Sequence, residues 1–245
     1  MRVFDYLLSL HDRIHWDFVQ IQLNYVDWRH ASGMNFNAEY LYGELRKRNI
    51  PCTVMESLRG GRLASLPEHL NSRLKQQRPE DSVASWAFRF AGSHPGVLTV
   101  LSGMTYMENL QDNLRTFSPL VPCTDGELAL LESVAAEMAG YDAVPCTACE
   151  YCMPCPYGIN IPAIFTHYNK CVYERNVPSS SQDDGYRRAR RAFLVGYDRS
   201  VPRLRQAARC IGCGQCSPNC PQAIKIPEQL HRIDRFVEQL KQETL

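Results

Sequence analysis

The sequence predicts two halves of different class, an α/β segment over residues 1–122 and an all-helical segment over residues 123–245. Three observations predict it. Short apolar runs alternate with helical stretches through the first half, no strand-like run of any length follows residue 139, and eight of the 11 cysteines crowd into two clusters near the C-terminus. The first pattern belongs to parallel sheets with helical crossovers, the third to metal chemistry.

Residues 17–25 (DFVQIQLNY) read as a strand and 37–48 as a helix. Residues 50–58 (IPCTVMESL) read as a second strand, which runs into the turn at Gly60 and Gly61. Two helical stretches follow, the second over 83–90, then a third strand over 97–102 and a helix over 106–117. Strands joined by helical crossovers pair in parallel through right-handed connections. The helix over 124–139 is the most clearly marked, because Thr124 and Glu127 form a capping box and Leu128, Leu131, Val134, Ala135 and Met138 recur at helical spacing. Beyond it, residues 160–175, 202–209 and 227–241 read as helical. The last has Leu230, Ile233, Phe236, Val237 and Leu240 on one face and Pro227 in its first turn, where the missing N–H costs nothing. Residues 178–185 (PSSSQDDG) form a polar loop between the cysteine clusters.

Composition narrows the function. With 44% hydrophobic and 22% charged residues in 245, the chain has an ordinary globular profile, and its net charge of +1 gives no global reason to expect nucleic acid or an anionic membrane as partner. The basic run Arg187, Arg188, Arg190, Arg191 reads as a solvated helix face. No segment has the length of a membrane span, and the N-terminus lacks the cleavage site of a signal peptide. Clustered cysteines with metal-ligand spacing argue against a secreted disulfide framework and for a reducing cytoplasm.

The clusters are an internal repeat. The first is Cys146-x2-Cys149-x2-Cys152-x2-Cys155-Pro156 and the second Cys210-x2-Cys213-x2-Cys216-x3-Cys220-Pro221, each continuing into a matching tail, CPYGINIP and CPQAIKIP. Thiolates two residues apart on a tight loop converge on a 4Fe–4S cubane, and in two-cluster proteins the Cys before Pro ligates the opposite cluster. That rule groups Cys146, Cys149, Cys152 and Cys220, and separately Cys210, Cys213, Cys216 and Cys155. The first block is one residue shorter between its third and fourth cysteines. Zinc also uses C-x2-C pairs, but needs neither the third cysteine at fixed spacing nor the following proline. Two 4Fe–4S clusters are therefore expected, with Cys52, Cys123 and Cys171 as buried thiols.

With these motifs placed, the chain resembles the C-terminal part of an aldo/keto reductase with an appended α-helical ferredoxin-like domain. DFVQIQLNY resembles the sixth barrel strand of that family, VMESLRGGRL the seventh strand and its loop, and VLTVLSGMTYMENLQDN the eighth strand and its helix. The resemblance implies the last three strand–helix units of a (β/α)8 barrel over residues 1–122, with NADP or NAD at the strands' C-terminal ends. It implies Gln22 at the nicotinamide amide, Met55 beneath the ring, Gly103 and Met104 at the phosphates, and Asp112 and Asn113 near the adenine. Asn109 stands where a 2′-phosphate-binding arginine often occurs, which leaves NADP against NAD open. The strands that carry the family's catalytic Asp, Tyr, Lys and His are absent, so no carbonyl reductase chemistry is expected. Three readings follow: a one-electron carrier serving a redox partner protein, an oxidoreductase completed by the missing N-terminal barrel half, and a helical domain merely stapled by metal.

Overall fold

A computed structural model describes residues 3–31 and 37–245. About half of the chain is helical, and the described residues up to Ala139 and those of Gly140–Leu245 form two compact units.

The first unit is built on a parallel sheet. Strands β1 (Val19–Gln22), β2 (Cys52–Met55) and β3 (Val97–Val100) lie side by side in sequence order. Val19 pairs with Cys52 and Gln22 with Met55; Cys52 in turn pairs with Val97 and Val54 with Val100. All three strands were legible from their apolar runs. They form an open sheet with two edges rather than a barrel, as three strands must. Two short helices, α1 (Val3–Ser9) and α2 (His11–Ile14), precede β1. Helix α3 (Ala38–Lys47) connects β1 to β2, and α4 (Glu68–Gln77) with α5 (Val83–Gly92) connects β2 to β3. Ser82 starts α5 by accepting a hydrogen bond from the Ser85 N–H, and the helix then buries Trp86, Phe88 and Phe90. Helix α6 (Met107–Phe117) follows β3 and leaves Met107, Leu110 and Leu114 exposed, as β3 leaves Leu98.

Helix α7 (Asp125–Ala139) shows the expected capping box. Thr124 Oγ1 accepts from the Glu127 N–H at 3.3 Å, and Glu127 Oε2 accepts from the Thr124 N–H at 2.8 Å. Glu127 also pairs with Arg89 at 2.9 Å and with Arg78. Leu131, Val134, Ala135 and Met138 bury themselves with Ile21, Val54 and Trp86 in one core. The sequence reading placed this helix with the second half by setting the boundary at residue 122. In the structure the helix's apolar stripe packs in the first core, and the compact unit that holds it runs to Ala139.

The second unit is helical. Helices α8 (Ile161–Tyr173), α9 (Tyr186–Ser200) and α10 (Ile226–Gln242) pack on one another around Ile164, Phe165, Phe193, Ile233 and Val237. The helix expected over 202–209 is instead two short 3-10 turns, Arg203–Arg205 and Ala207–Arg209, parted at Gln206. Gln206 is extended there because its amide donates to the Val201 carbonyl and to Asp198, both at 3.0 Å, while Tyr197 Oη takes the Ala207 N–H. These tertiary bonds replace the i→i−4 bonds of a continuous helix.

Candidate metal centre

The two cysteine loops repeat in backbone conformation as well as in sequence. Ala148 and Glu150 sit two and four residues after Cys146 with φ of 56° and 64°; Gly212 and Gly214 sit two and four residues after Cys210, both at 76°. Three residues after the last cysteine of each block, Gly158 and Ala223 are again left-handed, at 74° and 49°. Their N–H groups return to the carbonyls of Cys155 and Cys220 at 2.9 and 3.0 Å. Alanine and glutamate rarely adopt this conformation, so its recurrence at three matched positions is imposed by the loop's shape. Alternating left-handed turns gather successive backbone N–H groups into a concavity suited to an anion, the surroundings that an iron–sulfur centre ligated by four thiolates requires.

Each loop then enters a helix identically. Ile159 and Ile224 are buried, as are Ile161 and Ile226, and Pro162 and Pro227 follow in the first helical turn. In the first block Asn160 caps α8 by accepting from the Ala163 N–H at 3.3 Å. The approach to the first loop is fixed by Asn169 of α8, which bonds both backbone groups of Val144. The second loop is held from α10, where His231 Nε2 donates to the Cys210 carbonyl at 3.1 Å.

Four of the eight block cysteines share one neighbourhood. Cys146, Cys149, Cys152 and Cys220 line one small cavity of about 20 Å³, floored by Phe165, Ile161 and Ile226. Burial first, and then the neighbouring thiols of Cys146, Cys149 and Cys216, pushes Cys152 up to about 11. Burial likewise raises Cys216, with Cys210 and Cys155 adding to it. Cys220 therefore stands with the cysteines of the first block. The Ala148 N–H donates to Cys146 Sγ at 3.4 Å. Among the described residues, no group of three or more His, Cys, Asp or Glu is gathered as one metal ion requires. The donor set fits a 4Fe–4S group: four thiols and converging N–H groups on an apolar floor, with a further set of thiols beside it.

Of the other cysteines, Cys52 and Cys171 are buried and Cys123 is half-buried. Burial raises Cys52 and Cys123 and takes Cys171 to about 12, which suits inert packed thiols.

The residues singled out for a nucleotide are only partly gathered. Gly103, Met104, Asp112 and Asn113 line a cavity of about 450 Å³ at the C-terminal ends of β2 and β3, together with Glu56, Gly60, Gly61 and Asn109. Gln22 and Met55 are not among its lining residues. The Gln22 amide donates to Asp27 at 2.6 Å, and Met55 sulfur accepts from Gln20. Asp112 accepts from Ser82 and pairs with Arg115, while Asn113 donates to Ser102 at 3.0 Å. The sequence reading missed Asn169, His231 and the left-handed Ala148, Glu150 and Ala223; setting the two blocks in register against the glycines would have exposed the last three.

Among the described residues no helix is long and apolar enough to cross a membrane. No curated protein and no solved structure matches the chain. Residues 145–226, from just before Cys146 to the first residue of α10, match the family model of the 4Fe-4S dicluster domain.

Proposed function

We propose that the chain is an electron-transfer component holding two 4Fe–4S clusters, one on Cys146, Cys149, Cys152 and Cys220 and the other on Cys210, Cys213, Cys216 and Cys155. A 4Fe–4S cluster, when bound, takes up and releases one electron. The protein's own contribution is to hold eight thiolates, to turn backbone N–H groups toward them, and to floor the first site with Phe165, Ile161 and Ile226 so that water is kept from one side. The observation that carries the reading is the presence of Cys220 in the cavity of the first block. A stapling role needs only one metal site, whereas a pair of adjoining clusters suits passage of an electron through the unit. Anaerobic reconstitution tests it: about eight iron atoms per chain and a brown, reversibly bleached protein are expected. Stoichiometric zinc without iron would refute it.

A second reading concerns the first unit. The cavity at the ends of β2 and β3 lies where open parallel sheets bind ligands, and Gly103, Met104, Asp112 and Asn113 are on its wall. It is the place for a partial NADP or NAD site, if the chain shares the aldo/keto reductase design. The exposed Leu98, Met107 and Leu114 would then pack against further barrel elements of a partner segment. Tritium-free equilibrium dialysis with NADPH and NADH tests this; no binding of either at millimolar concentration would remove it.

A further inference from the structure

We infer that the arginine-rich surface leading into the second cysteine loop is a docking face for an acidic one-electron carrier protein. The inference rests on the electron-transfer reading and adds a partner to it. The stretch that runs through α9 into the second cysteine loop differs sharply in charge from the stretch before it. Residues 186–225 carry nine Lys or Arg against a single acid, Asp198, a net of +8. Residues 140–185, which include the first loop, carry two basic residues against five acids, a net of −3. The chain's overall charge of +1 conceals this segregation.

Pairing inside the protein absorbs only part of the positive charge: Arg190 pairs with Glu243 and Lys225 with Glu228. Arg203, Arg205 and Arg209 are all exposed, and none joins an ion pair among the described residues. Arg205 reaches only the Gly158 carbonyl, at 3.2 Å. Between these cations lie large apolar side chains turned to solvent: Leu204 is 68% exposed and Ile211, directly after Cys210, is 63% exposed. Cys213 is exposed as well. Apolar side chains rimmed by unpaired cations beside a thiol loop have the make-up of a transient docking surface, which is small and steered by charge.

Position selects the kind of partner. Arg209 immediately precedes Cys210, so whatever the cations attract is brought against the cysteine loop. A redox protein gains from that closeness; a nucleic acid does not. Residues 201–220 also contain no aromatic side chain on which a base could stack. The field of the surface calls for an acidic carrier, whose encounter rate would rise with the attraction and fall with salt.

The test uses the full chain, anaerobically reconstituted, with an acidic 2Fe–2S ferredoxin and an acidic flavodoxin as probes and basic cytochrome c as the reversed-charge control. Binding is measured by titration calorimetry at low and high salt. At least one acidic probe should bind at low salt, and Arg203→Glu with Arg209→Glu should weaken it about tenfold or more. Arg235→Glu with Lys241→Glu, an equal change in net charge outside the basic stretch, should leave binding unchanged. The inference is overturned if neither acidic probe binds, if both double variants weaken binding equally, or if a short DNA duplex binds this surface instead. Iron and sulfide counts on the same samples separate the two levels. An iron-loaded chain that ignores the acidic probes overturns the docking face alone, whereas an iron-free chain overturns the electron-transfer reading beneath it.

Discussion

The side-chain amide of Asn169 bonds both backbone groups of Val144: its Oδ1 accepts the Val144 N–H and its Nδ2 donates to the Val144 carbonyl, each at 2.7 Å. Val144 is two residues before Cys146, and the Cys146 N–H returns to the same carbonyl at 2.7 Å. Both residues are buried, so these bonds replace water that the site excludes. One side chain of α8 thus sets where the first cysteine loop begins.

Asn169→Leu should therefore leave the Val144 N–H and C=O unsatisfied and cost about 2–4 kcal/mol, with the first cluster lost in preference to the second. Denaturant titration and iron counts check this together. Asn169→Asp keeps the acceptor but sets a carboxylate against the Val144 carbonyl, and should be nearly as damaging.

Gly196 faces a second close approach. A Cβ built there would lie 2.6 Å from His167 Cε1, and His167 is itself held by donating from Nε2 to the Phe193 carbonyl at 3.0 Å. Gly196→Ala must displace the ring or spread α9 from α8, and a loss of about 1–3 kcal/mol is expected in thermal unfolding. His167→Ala in the same background should recover part of that loss, whereas a backbone effect of glycine would not be relieved.

Glu127 ties α7 to the rest of its unit. Burial works against its charge, but hydrogen bonds from Arg89 and Arg78 outweigh that and hold the carboxyl at about 2. A folded value below the unfolded one means that the stabilisation is complete at neutral pH and is lost as pH falls from the ordinary value of 4.5 toward 2. Glu127→Gln should cost about 3 kcal/mol at pH 7, because Arg89 stays buried without its partner, and should flatten the acid limb of stability against pH. Urea midpoints between pH 7 and pH 3 measure both effects.

Much of this was legible in the sequence, and the failures have physical reasons. The three strands showed because each is a short apolar run bounded by turn residues, and α7 because Thr124 and Glu127 announce its start. The repeat with its tails disclosed the cysteine sites, since the same spacing and the same Ile-x-Ile-Pro entry recur. Helix α9 was harder to see because arginines crowd its solvent side, although Tyr186, Ala189, Phe193 and Tyr197 mark a buried stripe. The break at Gln206 depends on bonds to Asp198 and Val201 that no local pattern encodes. The capping box of α7 tells where that helix starts and not which core receives its stripe. Left-handed Ala148, Glu150 and Ala223 are not signalled by their own residue types, only by the glycines Gly212, Gly214 and Gly158 at the matching positions of the other block.

The central claim is that the fourth ligands cross between the blocks, and iron counts on two double variants test it most directly. Cys155→Ser with Cys210→Ser should strike a single cluster and leave about four iron atoms per chain, while Cys155→Ser with Cys146→Ser should strike both clusters and leave almost none. The opposite order, with iron kept in the second double variant and lost in the first, would mean that each block closes on its own cluster, and would contradict the account.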